Sequence, residues 1–110
     1  MPTIGEVLAE QSQAIEDLAN EVGGPEAVME ARNALCLQDP VARFNKFREY
    51  LLPLKSKVVA VDNPAQHKAA MEMAMQRVMP SVSLNDQQAT RVVIIVRKIL
   101  EQLLSLETTQ

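Results

Sequence analysis

The chain is predicted to be all-α, a small bundle of four to five helices ending in a long C-terminal helix, on three observations. The first is composition. Of 110 residues 47% are apolar, yet the aromatics amount to Phe44, Phe47 and Tyr50. The core then falls to Leu, Val, Ile, Met and Ala, a set that suits helix packing better than a pleated sheet. The second is periodicity, because apolar residues return at three- and four-residue steps along most of the chain. The third is punctuation: Asp39–Pro40 and Asn63–Pro64 each place a capping side chain directly before a proline, the order in which helices begin. At this length a second core is excluded, and residues 1–106 are read as one helical domain with a frayed tail at 107–110.

The first helix is expected to start near Ile4, because Thr3 and Glu6 have the capping-box spacing. Ile4, Val7, Leu8, Ile15, Leu18, Ala19 and Val22 form its apolar stripe, interrupted by Gln11. Gly23 and Gly24 offer the conformation that ends helices, and Pro25 suits the first position of the next. That second helix is expected to reach about Leu37, with Val28, Ala31, Leu35 and Cys36 inward, and to stop at the turn around Gln38, Asp39 and Pro40. The third carries Val41, Phe44, Phe47 and Leu51 until Pro53 breaks it.

Over residues 54–61, Val58, Val59 and Val61 favour a strand by propensity, but a lone strand leaves its backbone groups unpaired, so a short helix or an extended connector is expected. Asn63 and Pro64 then open a helix closed by Pro80, with Ala70, Met71, Ala74, Met75 and Val78 inward and Met73 off that stripe. Ser83 and Asp86 resemble a start box for the last helix, expected from about Leu84 to Leu106. Within it Ala89, Val92, Val96, Ile99, Leu103 and Leu106 keep heptad spacing, and Val93, Ile94, Ile95, Leu100 and Leu104 add apolar cover beside them. One wall of neighbours does not hide so much apolar surface, and a homodimer through this seam is the expectation.

Catalytic, cofactor-binding and metal-binding residues are not assigned. His67 stands beside Lys68 without a nucleophile or an orienting carboxylate in helical reach. Cys36, between Leu35 and Leu37, reads as a small buried hydrophobe, and one cysteine with one histidine is too few for a structural zinc site. Gly23 and Gly24 are an isolated pair, not a phosphate-binding loop, and no alternating acidic loop suits calcium. With no cysteine partner and no secretory signal, the reducing cytoplasm is the expected compartment. The longest apolar run, Val92 to Val96, has five residues where a membrane span takes about 20.

Charge is polarised along the chain. The net charge is −3. Residues 1–30 hold Glu6, Glu10, Glu16, Asp17, Glu21, Glu26 and Glu30 with no base, whereas Arg43, Lys46, Arg48, Lys55 and Lys57 form a basic stretch broken by Glu49. Leu18, Ala19, Gly23 and Val28, across the Gly23–Gly24–Pro25 joint, are similar in spacing to a helix-turn-helix of the phage-repressor type. Glu26 and Glu30 would face phosphate there, so an ordinary helix-to-helix turn is expected. The functional expectation is a non-catalytic protein-binding module, an adaptor, chaperone or stoichiometric inhibitor, with Glu10, Glu16, Asp17 and Met73 as partner contacts. The alternative is a DNA-binding regulator that sets Arg43, Lys46, Arg48, Lys55 and Lys57 on phosphates.

Overall fold

The computed structural model describes residues 3–54 and 64–108, with side chains excepted at 54, 64–70 and 107–108. Helix α1 spans Ile4–Leu35, α2 Pro40–Leu51, α3 Pro64–Val78 and α4 Asp86–Thr108, with a 3-10 turn over Leu52–Leu54. No strand occurs among the described residues. Of the connector expected over 54–61, Leu54 ends the 3-10 turn, and the rest, with Val58, Val59 and Val61, lies outside the described residues.

Helix α1 starts as its capping residues dictate, the Thr3 hydroxyl accepting from the Glu6 amide at 3.2 Å. It does not run straight. Gly24 has φ 70° and ψ −161°, which no helix accommodates, and the chain turns there into two limbs, 4–23 and 25–35. The limbs meet closely enough for the Arg32 Nε to donate to Glu16 Oε1. Ala19, Ala27 and Ala31, fully buried, supply the small side chains that such an approach requires. A Cβ on Gly23 would lie 2.5 Å from Val82 Cγ1 and 2.7 Å from Ala27 Cβ, so no larger residue fits without displacement. The break expected at Gly23 and Gly24 is therefore present, as a joint between limbs folded against each other.

Cys36 ends the second limb in the left-handed region with φ 53°, and its amide and that of Leu37 both donate to the Arg32 carbonyl. Asp39 then caps α2, its Oδ1 accepting from the amides of Val41 and Ala42 at 3.1 and 3.3 Å, with Pro40 in the first turn. Pro53 falls in the 3-10 turn that follows α2. For α4 the expected start is corrected. Asn85, not Ser83, makes the cap: its Oδ1 accepts from the Gln88 amide at 2.9 Å, and Gln88 Oε1 accepts from the Asn85 amide at 3.0 Å. This reciprocal box satisfies two donors at once, whereas Ser83 lies three residues before the first helical residue, Asp86. At the other end Glu107 and Thr108 continue the helix, where a frayed tail was expected.

Helix α4 packs on both α1 and α3, with a lighter contact to α2. The seam residues Ala89, Val92, Val96, Ile99 and Leu103 are all buried by the chain's own helices. The ground for expecting a second subunit on them is thereby removed. The joint at Gly24 gives α1 two limbs, so α4 meets more walls than a single straight neighbour provides. The remaining seam residue, Leu106, is 40% exposed, and Ile94 beside the seam is 49% exposed. Phe47, Leu18, Met71 and Met79 close the core around Ile99 and Leu100. Among the described residues Gln11 and Ser12 are the buried polar ones, and the Ser12 hydroxyl donates to the Leu8 carbonyl of its own helix at 2.6 Å.

Candidate functional site

Where the 3-10 turn ends α2, the surface opens into a cleft of about 250 Å³ between α2 and α3. Its floor is core: Leu18 from α1 and Val92, Val96 and Ile99 from α4. Phe47, Tyr50 and Leu51 form one wall, and Met73, Ala74 and Val78 the other. Met73 is 64% exposed, an unbranched thioether held at the lip by its place off the buried stripe of α3. That stripe contains Met71, Val78 and Met79 as buried members and Met75 as a half-buried one. The polar side chains in the described lining are Glu49, Tyr50 and Arg77. Glu49 accepts from Lys46 Nζ at 3.4 Å, whereas Arg77, in the last turn of α3, makes no ion pair among the described residues.

The expected partner contacts do not converge on this cleft. Met73 belongs to it, but Glu10 and Asp17 lie elsewhere, in a shallow groove between α1 and α4. Asp17 accepts there from Gln13 Nε2 at 2.9 Å. Glu16 is half-buried and its carboxylate is held by Arg32 across the joint of α1, so it serves the fold's interior. Glu21 is similarly held by Arg91 of α4, and Glu30 accepts from the Ser81 hydroxyl at 2.9 Å. The acidic first thirty residues are thus partly spent on fastening α1 to itself, to α4 and to the turn after α3.

The described residues of the basic stretch make contacts close by in the chain. Arg43 donates through Nη1 to the Leu37 carbonyl at 3.3 Å, and its buried Nε has no partner among the described residues. Lys46 lies 5.7 Å from the Tyr50 ring centre besides pairing with Glu49, and Arg48 lies 5.8 Å from that of Phe44. Lys55 and Lys57 lie outside the described residues. Arg43 and Lys46, expected to share a face, are half-buried and engaged with their own helix and the turn before it.

Cys36 is half-buried with a free thiol, and the side chain of His67 lies outside those described. Among the described residues no three metal-ligating side chains gather, and no helix is long and apolar enough to cross a membrane. Tyr50 and Arg77 were not singled out from sequence. Tyr50 shares a helical face with Phe47 and Lys46, a signal within reach of periodicity, but nothing local to Arg77 indicates that α2 opens a cleft beside it. Comparison with protein-family models, curated proteins and solved structures finds no match to this chain.

Proposed function

We propose that this chain is a non-catalytic protein-binding module, and that it receives the apolar side chains of an amphipathic partner helix in the cleft between α2 and α3. The observation that carries the reading is the cleft itself, apolar to its floor and lipped by an exposed methionine. Its volume of about 250 Å³ falls below the roughly 300–1,000 Å³ typical of small-ligand pockets, which favours one or two anchoring side chains over a cofactor. Methionine at the lip adapts to an anchor's shape, and helix-in-groove recognition uses anchors one turn apart. Arg77 supplies the charge preference: an acidic residue flanking the anchors satisfies a guanidinium that has no ion pair among the described residues. A cytoplasmic setting belongs to the same reading, supported by the unpaired thiol of Cys36. No observation favours the DNA-binding alternative, since Arg43, Lys46 and Arg48 each make contacts within the chain.

The test is selection of displayed helical peptides on the whole chain, followed by affinity measurement. Enriched peptides are expected to carry apolar residues three or four apart beside an acid, and to lose at least about tenfold in affinity on Ala74→Trp, which fills the cleft. Met73→Asp, at an exposed position, tests the same lip should the larger residue disturb folding. Failure to enrich any peptide, or binding indifferent to both variants in a folded protein, would falsify the assignment.

A further inference from the structure

Helices α1 and α4 form a second surface whose charges are arranged differently from those around the cleft. A groove between them is walled on the α1 side by Glu10, Ala14 and Asp17, and on the α4 side by Arg91, Ile94 and Lys98. Arg91 is engaged by Glu21. Glu10 and Lys98 are both exposed and make no ion pair among the described residues. On the α4 wall Ile94, a β-branched apolar residue, is 49% exposed.

We infer that this α1–α4 face seats a second copy of the same chain, Lys98 of each subunit reaching Glu10 of the other and Ile94 of each lying against the Ala14 side of the other's groove. An acidic wall beside a basic wall is complementary to itself after a two-fold rotation. The rotation lays each α1 over the other subunit's α4, so every opposite-charge contact occurs twice. Neither a polyanion nor an anionic membrane is matched in this way, because Glu10 and Asp17 repel both. The occupant's charge pattern is therefore that of this chain itself. The apolar centre is small, so the dimer is a weak one that exchanges with monomer and depends on salt. The inference is independent of the cleft, with which this groove shares only Ile95 among the described lining residues.

Sedimentation velocity from about 1 to about 500 µM, at low and high salt, tests it. The chain is expected to shift from its monomer mass of 12.2 kDa towards twice that value over this range, more readily at low salt. Glu10→Lys and Lys98→Glu are each expected to weaken association at least about tenfold, because each puts like charges opposite one another twice. The double variant restores the pairing with its signs exchanged, and association should return to within about threefold of the original. Ile94→Asp is expected to abolish it. All three positions are exposed, so folding is not at stake, and circular dichroism verifies this. A monomer at every concentration, or a dimer indifferent to the charge swaps, overturns the inference. A persistent monomer that still binds selected peptides would leave the cleft reading standing.

Discussion

Gly24 holds a backbone conformation, φ 70° and ψ −161°, that is essentially reserved for glycine. Substituting alanine there is expected to destabilise the fold by about 1–3 kcal/mol. Gly23→Ala is expected to have a similar effect for a different reason, about 1–3 kcal/mol, because Val82 and Ala27 must move aside for its methyl group. Urea unfolding of the two variants measures both, and wild-type stability in either would mean that the limbs of α1 do not meet as described. The Glu16–Arg32 pair that bridges the joint contributes less. Its side chains are 18% and 37% exposed, and a double-mutant cycle should return a coupling of about 0.2–1 kcal/mol. Packing of glycine and alanine, more than the ion pair, is what keeps the limbs together.

At the scale of elements, the starts of α1, α2 and α4 are each a short contract between a cap and the amides that follow it, and such contracts can be tested singly. Asn85→Ala removes the cap of α4 and is expected to destabilise by about 1 kcal/mol, with Gln88→Ala lowering stability less. Ser83→Ala should stay within about 0.5 kcal/mol of wild type, since that hydroxyl is exposed and lies before the helix. Thermal unfolding of the variants decides between the two start sites, and the reverse ranking would restore Ser83 as the cap. Four of the five starts were legible in the residues: Thr3, the Pro25 joint, Asp39 and the Asn63–Pro64 pair all precede helical segments at the expected places. The fifth was misplaced because Ser83-x-x-Asp86 and Asn85-x-x-Gln88 overlap, and spacing alone does not rank two adjacent boxes.

For the whole molecule the question is which chain covers α4. With a radius of gyration of 13.2 Å, close to the roughly 13 Å usual for a domain of this length, the fold encloses the heptad seam from Ala89 to Leu103 and leaves Leu106 exposed. Ile99→Ala is therefore expected to lower stability by about 2–5 kcal/mol even at protein concentrations dilute enough for a monomer. Ile94→Ala should change the monomer by no more than about 0.5 kcal/mol, its effect falling on self-association. Denaturant titrations at two protein concentrations separate these outcomes, and a seam residue whose loss matters only at high concentration would return the seam to a subunit interface. The same distribution of burial bears on binding. Much of the apolar surface goes into the interior, leaving the cleft and the α1–α4 groove as places where apolar side chains meet solvent among charged ones.

The all-α class, the breaks at Gly23–Gly24 and Pro53, the caps at Thr3 and Asp39 and the exposed lip residue Met73 were set by sequence alone, because each depends on dihedral preferences or on partners within four residues along the chain. Periodicity also identified Ala89, Val92, Val96, Ile99 and Leu103 as buried, but it is silent on whose atoms bury them. That was decided by the tertiary structure, through contacts between distant residues: Gly23 against Val82, Glu16 against Arg32, Glu21 against Arg91. The same long-range folding fastened Glu16, Glu21 and Glu30, three of the seven acids in the first thirty residues, to distant parts of the chain, whereas Arg43, Lys46 and Arg48 have partners within six residues. It opened the cleft beside Arg77, a position at which no neighbouring residue carries the signal, since a cavity is a property of how helices cross and not of any one of them.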